Sequence, residues 1–129
     1  PYNYKDILNK DDLKIDYGLY CIYGNHATSG PETLLYIGKA WKQTFAARFR
    51  QHADWIEREC AELKVFLGRL GGTHNNTEQC NKNVIDAETL LIYYLSPPYN
   101  SSSIYDHPKD VGGKLILNFG KRYKLPYCV

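Results

Sequence analysis

No apolar run in this 129-residue chain approaches the roughly 18 residues a bilayer-crossing helix needs, so no membrane span is expected. No charged-then-apolar leader stands at the front, which makes an intracellular, cytoplasmic protein with reduced thiols the expectation. The four cysteines, Cys21, Cys60, Cys80 and Cys128, form no CxxC pair and have no regular spacing. Structural zinc sites use closely spaced ligand pairs, and a set drawn from Cys60, His74 and Cys80 does not have that spacing. Charge of one sign is not in excess either. Sixteen Lys and Arg stand against 14 Asp and Glu, net +2, so overall charge implies no polyanionic partner. There is no internal repeat and no linker, and the length suits one domain over 1–129. Hydrophobic residues make up 43% and charged residues 23%, which excludes a disordered or collagen-like chain. The 12 tyrosines are the unusual feature. Tyr offers an apolar ring with a polar tip, suited to a half-wet site.

The charges are unevenly placed. Between Thr33 and Ala53 there is no acid, yet Lys39, Lys42, Arg48 and Arg50 fall there. A second basic cluster comprises Lys121, Arg122 and Lys124. One-sided positive charge is what a phosphate-binding face requires, although a solvated helix face also carries such runs.

Lys14 to Tyr23 alternates with a period of two and predicts a strand. The turn-rich stretch GNHATSGPE follows, then a second strand from Leu34 to Gly38, which together make an antiparallel hairpin. With Leu19 and Leu35 both facing a core, Tyr20 and Tyr36 would share the opposite face, each beside a glycine. Thr44 is a plausible N-cap for a helix running to about Cys60, with an apolar stripe of Phe45, Phe49 and Ile56. Arg48 and His52 are four apart on it and hence neighbours. Lys64 to Leu70 reads as a third strand, and Thr73 to Lys82 as a polar loop. Asn83 can cap a helix from Val84 to Leu95, stopped by Pro97-Pro98. Ile85, Leu91, Ile92 and Leu95 wrap around that helix, so it should be largely buried, and Glu88 within it needs a cation, a hydrogen-bond network or a metal. Lys114 to Phe119 reads as a last strand, and 120–129 as a basic tail.

Gly18-Leu19-Tyr20 and Tyr36-Ile37-Gly38 resemble the two halves of the GIY-YIG nuclease motif, with Lys39-Ala40 following as in many members. Arg48-Phe49-Arg50-Gln51-His52 resembles the family's helix segment. Glu88, and then Pro98-Tyr99-Asn100, resemble its metal-binding glutamate and trailing Pro-x-Asn. The resemblance covers about residues 17–100, leaving 101–129 as a C-terminal extension, and departs literally in Leu19 for Ile. It implies an α/β (α+β) fold, a small antiparallel sheet of about three strands flanked by helices, and a metal-dependent endonuclease acting on DNA.

The chemistry agrees with that implication. Phosphodiester hydrolysis needs an activated water, a cation on the phosphoryl oxygens and a protected leaving oxygen. Glu88 would supply one hard oxygen ligand to Mg²⁺ or Mn²⁺. Arg48 would grip non-bridging oxygens with its fork. Tyr20 is the candidate general base or water-orienting group, its pKa to be lowered by Lys39 or His52 through positive charge or by taking its proton, and Tyr36 would position water or phosphate. Lys39, Lys42, Arg50 and Asn100 are the candidate nucleic-acid-binding residues, with Asn100 also suited to holding loops or Glu88 in place. The alternative is a catalytically inactive nucleic-acid-binding or protein-interaction domain on the same fold. Specificity would come from the chain's own loops, a homodimer, a partner or a further domain, with 75–82 and the segment from Ser101 as candidate reading surfaces.

Overall fold

The computed structural model describes residues 2–8, 16–56, 58–59, 62–70, 78–105, 108 and 111–129. The sequence-based expectations for Lys14, Ile15, Cys60, His74 and residues 71–77 lie outside the described residues. The elements run β1 (Tyr2–Asn3), α1 (Tyr4–Leu8), β2 (Asp16–His26), β3 (Gly30–Gln43), α2 (Phe45–Arg50), α3 (Ala53–Ile56), β4 (Lys64–Arg69) and α4 (Glu78–Leu95). Four strands form one antiparallel sheet in the order β1-β4-β2-β3, so the fold is mixed α+β. The expected count of about three strands misses β1, which has only two residues and no periodicity to read.

Both sheet faces are covered. On one, Tyr20, Ile22 and Leu35 pack with Tyr4 and Ile7 of α1 and Phe45 and Phe49 of α2. On the other, Leu19, Cys21, Tyr23 and Ile37 pack under Cys80, Val84, Ala87 and Leu91 of α4. Leu19 and Leu35 therefore face opposite sides, contrary to the simple alternation. The register shifts from Ile22↔Tyr36 to Tyr23↔Leu34, leaving Leu35 as an extra residue in β3. That bulge reverses the facing of everything before it in β3 while Tyr20 and Tyr36 stay together.

Three further corrections have physical causes. The helix from Thr44 is two short helices: Gln51 and His52 donate back three residues, to Arg48 and Phe49, closing a tightened turn between α2 and α3. Its start is as expected, with Thr44 Oγ1 accepting from the Ala47 amide at 3.1 Å. The long helix begins at Glu78, not at Asn83, because buried Cys80 extends the inward stripe one turn earlier through Cys80, Val84, Ala87 and Leu91. Its burial is also one-sided, since Ile85 and Tyr94 are exposed. Lys114–Phe119 does not join the sheet. It pairs instead with the chain's end through an isolated bridge, Leu117↔Cys128. The basic tail is thus folded back, with Leu125 and Val129 packed against the α4-side core.

Gly18 has a steric reason to be glycine. A Cβ there would sit 2.1 Å from the Gly68 carbonyl oxygen, so β4 could not pair so closely beside Tyr20.

Candidate active site

The hairpin of β2 and β3 sets Tyr20 directly opposite Gly38. A Cβ at position 38 would lie 2.4 Å from the Tyr20 hydroxyl and 2.8 Å from the Tyr36 ring. Only glycine lets the Tyr20 phenol lie across β3 beside Tyr36, and the two rings stack with centroids 6.0 Å apart. The turn between α2 and α3 brings His52 over them. Tyr20 Oη lies 2.6 Å from His52 Nε2, and the His52 ring meets Tyr36 edge-on at 4.8 Å.

The electrostatics follow from burial. Desolvation pushes the fully buried Tyr20 phenol far above its ordinary value, with the Tyr36 phenol adding to the rise and the Arg48 charge opposing it. Tyr36 is raised as well, chiefly by burial. The expectation that the site lowers Tyr20 is therefore reversed in the protein on its own. His52 is pushed the other way, down to about 4, first by burial and then by the Arg48 charge. It is neutral at pH 7, and in the tautomer with its ring proton on Nδ1 its Nε2 would accept a hydrogen bond from the Tyr20 hydroxyl.

Arg48 completes this cluster from α2. Its Nη1 donates to Gln51 Oε1 at 2.6 Å, while its Nε is buried with no hydrogen-bond partner. The guanidinium lies close enough to both phenols to oppose their rise, and its Nε is the donor left over.

Glu88 comes from the opposite side of the sheet. Lys39 lies across from Leu19, on the face under α4, and its ammonium is ion-paired to Glu88 Oε2. That is the partner the carboxylate needs in a packed helix, and it means Lys39 serves Glu88 rather than Tyr20. Glu88 Oε1 accepts no hydrogen bond among the described residues. The Glu88 charge still reaches both phenols and raises them. Among the described residues no three His, Cys, Asp or Glu gather into a metal cage. Glu88 would offer a divalent cation one hard carboxylate oxygen, in competition with the Lys39 ammonium.

Asn100 is buried, only 7% exposed. Its Oδ1 accepts from the Ile37 amide at 3.0 Å and its Nδ2 donates to the Ile37 carbonyl at 2.8 Å. The neighbouring Tyr99 amide donates to the Leu35 carbonyl at 3.0 Å. Residues 99–100 thus occupy the outer edge of β3, where another strand would otherwise pair. Both ends of the Asn100 amide are engaged with the backbone between Tyr36 and Gly38, in keeping with the loop-holding role that the sequence also suggested. Asn100→Ala would leave both Ile37 groups unsatisfied and is expected to cost about 2–4 kcal/mol, read as a lower urea midpoint.

The other cations are spread around this centre. Lys42 is exposed at the end of β3, its ammonium 5.9 Å from the Trp41 ring centroid. Arg50 points away from Arg48 and donates to the Leu8 carbonyl at 3.2 Å, tying α2 to α1. Sequence reading missed Trp55, whose ring stands 5.8 Å from Tyr36 and 5.1 Å from Tyr99. Its signal was its place three residues after His52. Gln51, which orients Arg48, carried none.

The fold and this cluster define a mixed α+β protein with a tyrosine–histidine–arginine centre beside an ion-paired glutamate. Comparison with protein-family models, with curated proteins and with solved structures gives no match.

Proposed function

We propose that this chain is a metal-dependent DNA endonuclease of the GIY-YIG type, hydrolysing phosphodiester bonds. The observation that carries the reading is the meeting of Tyr20 Oη and His52 Nε2 at 2.6 Å beside the unsatisfied Arg48 Nε. Residues separated by 32 positions supply an acid–base pair and an anion-gripping donor in one place. Arg48 Nε would take a non-bridging phosphate oxygen, gaining strength as charge builds there. Tyr20 would pass a proton to neutral His52 as it accepts one from water, so the phenol need never ionise alone. Tyr36, half-buried beside Tyr20 and His52, would orient that water. Glu88 would hold Mg²⁺ or Mn²⁺, which when bound supplies charge on the phosphoryl oxygens and a more acidic water. Lys39 would hold Glu88 in place in the metal-free protein, then turn to the substrate's phosphates. Lys42 and Arg50 would track the backbone of the DNA without reading bases.

The second reading, a non-catalytic nucleic-acid-binding or interaction domain, draws on the Lys39–Glu88 ion pair, which satisfies Glu88 without a cation. A plasmid assay separates the two. Supercoiled DNA is expected to be nicked or cut with Mg²⁺ or Mn²⁺ and to stay intact in EDTA. DNA that is bound but left intact with either metal favours the second reading.

A further inference from the structure

A cavity lies away from the tyrosine–histidine centre. It holds about 740 Å³, within the range of small-ligand sites, and opens between β4, α4 and the folded-back C-terminal segment. Its walls are apolar, with Leu67, Gly68, Leu90, Leu91, Ile116 and Leu125 among them. Its lining also includes Arg69, Lys121 and Arg122. Asp86, the acid on the α4 side, is ion-paired to Lys114.

The segment behind this cleft is built with two faces. The Ile116 amide and carbonyl pair with those of Val129, and the Asn118 amide donates to Tyr127. Ile116 therefore packs inward, and every second residue beside it faces out. Leu115 and Phe119 are 63% and 70% exposed, and Tyr127 is 53% exposed. Phe119 and Tyr127 meet edge-on at 5.6 Å, and the Arg122 guanidinium lies 6.0 Å from the Tyr127 ring centroid. Tyr123 anchors the segment, stacking on Phe66 at 4.7 Å. Between Val111 and Val129 there are four cations and no acid.

Exposed flat rings and a lip segment with cations and no acid of its own, with Asp86 paired to Lys114 and Glu32 to Lys64 and Lys124, fit a polyanion that carries stackable faces. A duplex hides those faces in its own stack, whereas an unpaired strand offers them. We infer that the cleft and the 114–129 lip form a second binding site, for an unpaired stretch of the DNA substrate. Bases would stack on Phe119 and Tyr127 and reach into the cleft, with phosphates on Lys121 and Arg122. Helix α4 links the two sites: Asp86 and Ala87 line the cleft, and Glu88 is the next residue. A strand held in the cleft would thus lie within about one helical turn, ~5 Å along α4, of the candidate metal ligand. The inference rests on the nuclease reading for its substrate, and it makes the enzyme selective for junctions between paired and unpaired DNA.

The test is binding by the full chain in EDTA, where no cutting occurs. Fluorescence anisotropy would compare a duplex bearing a single-stranded arm with the same duplex made blunt. The wild type is expected to favour the armed duplex. Phe119→Ala with Tyr127→Ala should weaken that preference by roughly 5- to 100-fold and leave the blunt duplex little changed. Lys121→Gln should lower the salt slope for single-stranded DNA by ~0.7, whereas Lys5→Gln on the exposed face of α1 should not alter the arm preference. Circular dichroism and sedimentation accompany each variant. Unchanged arm preference in folded variants would overturn the inference, as would variants that instead turn a dimer into a monomer. A wild type that binds the arm through these residues but never nicks leaves the inference standing and removes the nuclease reading. One that nicks blunt duplex with no arm preference does the reverse.

Discussion

Glu88→Ala is expected to abolish metal-dependent nicking, lowering the rate at least a thousandfold while the protein still folds. Glu88 is the carboxylate whose charge reaches both phenols. Among the described residues its Oε1 accepts no hydrogen bond. Loss of a preorganised charge at the reacting centre costs about 10²–10³ when the group is a single hydrogen-bond donor, and a metal ligand should cost more. The substitution also strands Lys39, whose ammonium loses its partner but can turn to water. The fold should therefore survive, since an ion pair with one wet member contributes little to stability. Glu88→Gln is the sharper control. It keeps the volume and a hydrogen-bond acceptor for Lys39, but loses the charge that would hold a divalent cation. Plasmid nicking timed in Mg²⁺, beside thermal melts of the three proteins, would check both halves. Nicking by Glu88→Ala at the wild-type rate would remove Glu88 from the chemistry.

How much of this centre could be read from the chain depends on how local each signal is. The pairing of Tyr20 with Tyr36 follows from a hairpin and a period of two, both written between Lys14 and Gly38. Thr44 was legible for the same reason, because its cap bond closes within a single turn. The placement of Lys39 was legible too but was not read. It stands opposite Leu19, while Gly38 stands opposite Tyr20, so alternation already sends Lys39 to the α4 face. Leu35 was not legible, since a bulge inserts a residue without changing composition. Asn100 lies 63 residues from Ile37, and no spacing rule reaches that far. The break at Gln51–His52 was hidden by a stripe, Phe49 to Ile56, that continues across it. That break matters most, because it brings the His52 ring onto the Tyr20 hydroxyl. The start of α4 was masked by its polar residues, with Cys80 the sole inward side chain before Val84.

Tyr20→Phe should lower the nicking rate about 10²- to 10⁴-fold, the usual weight of a positioned general base. The phenol is fully buried, so removing its oxygen changes little in packing and leaves the Phe45 and Phe49 contacts in place. His52→Ala should cost a similar factor, because Tyr20 then has no acceptor for its proton. The two should not add: if they act as a relay, the double variant is no slower than the worse single one. The relay also sets the pH dependence. His52 is held at about 4 against an ordinary 6.5, by burial and by the Arg48 charge. Its folded pKa is thus depressed, so the unfolded chain binds the extra proton first as pH falls. The stability it contributes is present above about pH 6.5 and is lost as pH falls towards 4. The same neutrality places the acid limb of kcat/KM for the free enzyme near pH 4, not near 6.5. Proton NMR of the His52 ring gives the titration directly. Arg48→Gln should move it upward by removing the second cause, leaving burial as the first. A His52 that titrates near 6.5 in the wild type would mean that it is charged over part of the working range, and a charged His52 cannot accept the Tyr20 proton.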